Sequence, residues 1–231
     1  MKGKALIKGF LLAAAFVFGG CASYSPSLVK LDTMGAGASK KGQGDLTVYV
    51  DEYATEEKCK RAFDTDLADE GVLAMLLLME NNGTYPYDVK VTDVSMCDDI
   101  TCFKALAPEE AAGKAKRNAV GRAIGWSMIV PIISIPVAAV ASVSHTRSVN
   151  NQIVHDFCAK GFTSGIVMPS RELSGFLFFP LDKGRKDLLG LRLVMSAKNT
   201  ATGEVTTIAV PLPNAAIKGR KTDPEKDKKV P

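Results

Sequence analysis

The sequence predicts a mainly β protein, an antiparallel β-sandwich interrupted by an inserted α-helical hairpin. Three observations carry that expectation. Short segments rich in Val, Thr, Leu and Phe, closed by Gly, Asn and Pro signals, occur before residue 100 and return after residue 165. Between them, residues 108 to 160 lose the two-residue period and read as helix. An apolar fraction of 46% over 231 residues suits a packed core rather than a disordered chain.

The first strand is Leu46-Thr47-Val48-Tyr49-Val50, which alternates and is rich in β-branched residues. Glu56 to Leu67 is more helical or irregular. Gly71 to Met79 is a long apolar run that periodicity alone assigns to neither strand nor helix. The stop signal Asn81-Asn82-Gly83 and the strand-like Tyr87-Asp88-Val89-Lys90-Val91 make it one arm of a strand hairpin, with Pro86 at the start of the second arm. Later strands are expected at Ser174 to Phe179, Leu188 to Met195 and Glu204 to Val210, the last two joined by the turn Asn199 to Gly203. Pro211 and Pro213 end the series, so one domain is expected over 45–213. The Lys-rich stretch 214–231, with Pro224 and Pro231, reads as a disordered tail.

The middle segment begins with Pro108-Glu109-Glu110, a helix start with Pro first and acids in the first turn. Lys114, Lys116, Arg117 and Arg122 follow, and then Ala123 to Val143 carries no charge. Three readings compete. A single transmembrane helix has the length, but Pro131 and Pro136 interrupt it and its basic flank is on the wrong side for a chain exported from its amino terminus. A buried core helix would hide the apolar surface internally. The preferred reading is a hairpin inserted at about 108–160, with helix one to about Ile129, a bend at 130–136 and helix two from about Val137. Its tip would present Trp126, Ile129, Ile132, Ile133, Ile135 and Val137 to a bilayer, a protein partner or a second copy. Gly121 and Gly125 have the spacing that lets helices approach closely.

The amino terminus is the most specific part of the chain. Lys2, Lys4 and Lys8 precede the apolar run Phe10 to Phe18, which is too short to span a bilayer, and Gly19-Gly20 lead into Cys21. Val17-Phe18-Gly19-Gly20-Cys21 resembles the lipobox of bacterial lipoproteins. The resemblance implies removal of a signal peptide, residues 1–20, a diacylglyceryl group on the Cys21 thiol and a palmitate-type acyl chain on the new amino terminus. Ala22, in place of the Asp linked to inner-membrane retention, implies the outer membrane facing the periplasm in cells with two membranes. Residues 21–44, rich in Ser, Gly and Lys, read as a lipidated flexible tether. Pro169 to Phe179, followed by Leu191-Arg192-Leu193-Val194, resembles the later strands of immunoglobulin-like domains in exported bacterial proteins, which implies an immunoglobulin-like sandwich.

Lipidation of Cys21 leaves Cys59, Cys97, Cys102 and Cys158, an even number in an oxidising compartment. Cys97 with Cys102 closes a short loop and leaves Cys59 for Cys158, one of three formal pairings. Acidic groups at Asp64, Asp66, Asp69 and Glu70, and at Asp93, Asp98 and Asp99, lack metal or paired-carboxylate spacing, and His145 and His155 are too far apart for a helical metal pair. Net charge is +4, but three of the positive residues precede Cys21, so no basic field points to nucleic acid. The expectation is a non-catalytic envelope lipoprotein without cofactor or metal. Its partners would be the bilayer, through acylated Cys21, and an envelope protein or a second copy, through the hairpin. The alternative is a subunit of an oligomeric membrane-inserting or export assembly.

Overall fold

The run Val72-Leu73-Ala74-Met75-Leu76-Leu77-Leu78-Met79 contains no polar residue, so a strand built from it must be covered on both faces. The computed structural model describes residues 24–27, 34, 38–115, 135–182 and 184–217, with only the backbone for 135–147, and it provides both covers. In chain order the elements are β1 (Ser39–Gln43), β2 (Leu46–Tyr53), α1 (Glu56–Phe63), β3 (Val72–Asn81), β4 (Tyr87–Cys97), β5 (Cys102–Lys104), α2 (Pro108–Ala115), α3 (Ile135–Lys160), β6 (Gly165–Val167), β7 (Glu172–Pro180), β8 (Arg192–Asn199) and β9 (Val205–Pro211).

The strands form two antiparallel sheets. The first has the order β1-β2-β3-β7, and the second has the order β5-β4-β8-β9 with β6 also paired to β4. Leu73, Met75, Leu77 and Met79 of β3 point into a core shared with Val89, Met96, Leu193, Met195 and Val210 of the second sheet. Val72, Ala74 and Leu76 point the other way, into a second core closed by the helices. The result is three layers, helices over a sheet over a sheet, and it accounts for the unbroken apolarity of β3.

The expected hairpin between the Gly71–Met79 run and Tyr87–Val91 does not form, because β3 and β4 lie in different sheets. The Asn81 side chain holds the crossing: its Nδ2 donates to Tyr85 O at 2.8 Å and Val167 O at 3.0 Å, and its Oδ1 accepts from Gly83 N at 3.0 Å. The Asn-Asn-Gly signal marks a side-chain-bonded loop between layers rather than a two-residue turn. Within β4, five steps from Val89 to Val94 face only two on β8, from Ala197 to Met195. This bulge switches the buried positions from Tyr87 and Val89 to Val94 and Met96.

Part of the region read as tether is strand. Ser39–Gln43 pairs with β2 through a tight Gly44-Asp45 turn, and Gly44 has φ +57°, where a side chain would be strained. The start of the region read as tail is also fixed. Leu188 N donates to Ala215 O and Ile217 N to Lys186 O, while Ala215 and Ile217 pack on the core. The strand expected from Leu188 begins only at Arg192, after a turn with Gly190 at φ +77°.

In the helical layer, Thr55 Oγ1 accepts from Lys58 N and caps α1, which buries Cys59, Ala62 and Phe63. Pro108 opens α2, and Ala111, Ala112 and Ala115 let it lie close to α3. Pro136 sits in the first turn of α3, where its missing N–H has no partner to lose, so it starts this helix instead of breaking it.

Candidate functional site

The segment 107–160 leaves and rejoins the body at one place. Leu106 N donates to Phe178 O at 2.7 Å, and Phe162 N donates to Phe176 O at 2.8 Å, both on the free edge of β7. Gly175 permits this approach, since a Cβ there would lie 2.6 Å from Phe162 Cα and 2.7 Å from Phe162 N. Strands before the segment pair with strands after it in both sheets, β3 with β7 and β4 with β8. The body on either side of the segment therefore lies on one side of any bilayer. Among the described residues, no helix is long and apolar enough to cross a membrane.

The helical layer is fastened by aromatic packing. Phe63 is fully buried, with ring centroids of Phe157, Phe176 and Phe178 at 4.8, 4.9 and 5.7 Å. Val149, Ile153 and Phe157 form the buried stripe of α3 over 148–160, at the spacing of one helix face. Two polar clusters flank the aromatics. In the first, Lys58 Nζ donates to Asp51 Oδ1 at 2.8 Å, Glu52 O at 2.8 Å and Glu52 Oε2 at 2.5 Å, using all three ammonium hydrogens. In the second, Lys160 Nζ donates to Ala62 O at 2.6 Å and Asp156 Oδ2 at 2.7 Å and lies 5.4 Å from the Phe63 ring centroid. Asp156 Oδ2 also accepts from Tyr24 OH at 2.5 Å.

Cys21, Gly121, Gly125, Trp126, Ile129, Ile132 and Ile133 lie outside the described residues, and Ile135 and Val137 fall in the first turn of α3, where only the backbone is described. Cys97 and Cys102 face each other across β4 and β5 and are joined as a disulfide, as expected. The expected Cys59–Cys158 bridge is not formed: both thiols are free. Cys59 donates into the core to Tyr53 O at 3.0 Å, while Cys158 donates to Glu109 Oε1 at 3.3 Å between α2 and α3. Even cysteine counts constrain pairing only when the thiols can meet. Alkylation of the native protein should therefore modify Cys158, reach Cys59 only after unfolding, and leave the Cys97–Cys102 peptide linked in a mass map.

The acidic groups serve the backbone. Asp98 Oδ1 accepts from Ile100 N at 2.8 Å and Thr101 N at 2.7 Å, which holds its carboxyl below the usual range, and Arg192 pairs with Asp99. Asp93 is exposed in the β4 bulge. Asp64 ends α1 in the left-handed conformation, and Asp66 Oδ1 accepts from Asp69 N. His155 is exposed, and no cluster of three His, Cys, Asp or Glu that could hold a metal occurs among the described residues.

Burial pushes the Cys59 thiol up to about 11 and the Tyr53 phenol up to about 12, the latter aided by the Asp51 carboxylate. Burial acts to lower Lys58, but its hydrogen bonds to Asp51 and Glu52 outweigh that and raise it. In all three cases the folded form keeps its proton to higher pH than the unfolded form. Stability is therefore complete below the unfolded values and is lost as pH rises through the folded ones. The urea midpoint should stay level to about pH 9 and fall toward pH 12, and Cys59→Ala should flatten the part below about 11.

No direct sign of the Tyr24 and Lys58 contacts is legible in the amino-acid order. The nearest signals were a lone aromatic in a Ser-rich stretch and the four-residue spacing of Asp156 and Lys160. No protein-family model and no curated protein matches the chain. Solved structures that are similar to it include two with low TM-scores. One is a Bacillus subtilis protein described as a candidate lipoprotein, with 13% identity, a TM-score of 0.39, and coverage of 75% of this chain and 38% of that one. The other is a functionally unknown protein from Listeria monocytogenes, with 9% identity, a TM-score of 0.33, and coverage of 76% of this chain and 82% of that one. The chain thus spans less than half the length of the Bacillus protein.

Proposed function

We propose that this chain is an envelope lipoprotein, held at a membrane by acylated Cys21, with a non-catalytic binding or structural role. Its body is read as an immunoglobulin-like sandwich, and the helical excursion is its contact element for the membrane or a partner protein. The observation that carries the reading is the common edge on β7 from which 107–160 departs and to which it returns. An uncharged stretch, Ala123 to Val143, is thereby attached to one side of a body that stays whole. The Cys97–Cys102 disulfide supports an oxidising compartment. In cells with two membranes the reading places the protein on the outer membrane, facing the periplasm.

The test is the amino-terminal mass and the membrane partition of a Cys21→Ser variant. The reading expects a chain that begins at an acylated Cys21 and sediments with membranes, and an unmodified thiol at that position overturns it. Retention of the Cys21→Ser variant in membranes would assign the excursion to lipid, and full release would assign it to a protein partner.

A further inference from the structure

We infer that residues 24–27 are a docked strap rather than free tether, and that they turn the helical layer toward the bilayer. The inference rests on lipidation of Cys21. Three contacts fasten the strap. Tyr24 OH donates to Asp156 Oδ2 on α3 at 2.5 Å, Ser25 N donates to Asp64 Oδ2 at 3.4 Å, and Ser27 N donates to Arg61 O at the end of α1 at 2.8 Å. The Tyr24 ring also packs against the aromatic core under the helices. Its acceptor is itself fixed, because Asp156 is paired with Lys160, which is 14% exposed and also holds the last turn of α1. Pro26 lowers the number of conformations the strap must give up.

The anchor position follows from covalent geometry. Cys21 is three residues from Tyr24, so its α-carbon lies within about 11 Å of that of Tyr24. An acyl group on Cys21 enters the bilayer, so the membrane surface must approach the body where Tyr24 docks, at α1 and α3. The outer face of the second sheet is the far side, separated from the strap by two sheets. An acidic α1 would oppose an anionic surface, but Glu56 pairs with Lys60 and Glu57 with Arg61, which leaves these four groups balanced. The bilayer, reached through the acyl chains, is thus the occupant that fits this face.

The experiment uses the acylated full chain in phosphatidylcholine vesicles that carry a nickel-chelating headgroup lipid, in a Cys158→Ser background. Nitroxide labels are placed at Gln152→Cys, exposed on α3 one turn before Asp156, and, separately, at Ala209→Cys on the exposed face of β9. Nickel-induced relaxation should be several-fold stronger at position 152 than at 209. Tyr24→Ala, or Ser27→Pro, which removes the shorter of the strap's two amide hydrogen bonds and leaves every body residue in place, should bring the two values together. Equal relaxation in the parent, or an undiminished contrast in both strap variants, overturns the inference while leaving the lipoprotein reading intact. Absence of the acyl mass on Cys21 overturns both.

Discussion

Phe63→Ala should destabilise the protein by about 3–5 kcal/mol, the range for removing a fully buried ring whose surroundings relax only in part. Its ring joins the helical layer to the sheet beneath: it belongs to α1, lies tilted against Phe157 of α3, and contacts Phe176 and Phe178 of β7. Tyr53 of β2 stands edge-on at 6.5 Å, and Lys160 loses the ring below its ammonium group. Because the inter-sheet core shares none of these rings, the loss should be uneven. Amide exchange should speed up first in α1 and the carboxy-terminal half of α3, while β8 and β9 keep their protection. Ile100→Ala, at a side chain that is 95% exposed, is the control and should change the denaturation midpoint little.

Lys58→Met should cost roughly 2–3 kcal/mol for a different reason, less than the range of about 3–5 kcal/mol for a fully buried pair because the Lys58 side chain is 36% exposed. The side chains of Asp51 and Glu52 are 7% and 9% exposed, and Lys58 is the cation that both of them contact. Methionine keeps most of the stem's volume but strands two carboxylates away from water. The proof of cause is a cycle. In an Asp51→Asn/Glu52→Gln background the same Lys58→Met change should cost far less, because no charge is left unpaired. An equal cost in both backgrounds would assign Lys58 a packing role alone.

Much of the β framework was legible in the sequence because burial writes itself as alternation. Leu46, Val48 and Val50 announce β2, and Leu193 and Met195 announce β8, each with one face inward. Gly71 to Met79 was readable as a strand, but not its place, since a strand buried on both faces has no pattern to say which neighbour it joins. β1 was missed because Ser39-Lys40-Lys41-Gly42-Gln43 is an edge strand that buries almost nothing, so its signal lay in the Gly44-Asp45 turn alone. The Cys97–Cys102 bridge was readable from short spacing, whereas Cys59 and Cys158 show that parity does not bring distant thiols together. The strap at Tyr24 was hidden because composition reports what a segment cannot bury on its own, not what a neighbouring surface offers it.

The hydrogen bonds donated by the Leu106 and Phe162 amides have an architectural consequence. They land two residues apart on β7, so strand pairing sets where the intervening polypeptide starts and stops. Its two ends are held by packing as well, because Ala111, Ala112, Ala115, Val149, Ile153 and Phe157 close the second core over β3 and β7. Lineages, or engineers, are free to vary what joins these two packed ends, provided the ends themselves are kept as the cover of the sheet beneath.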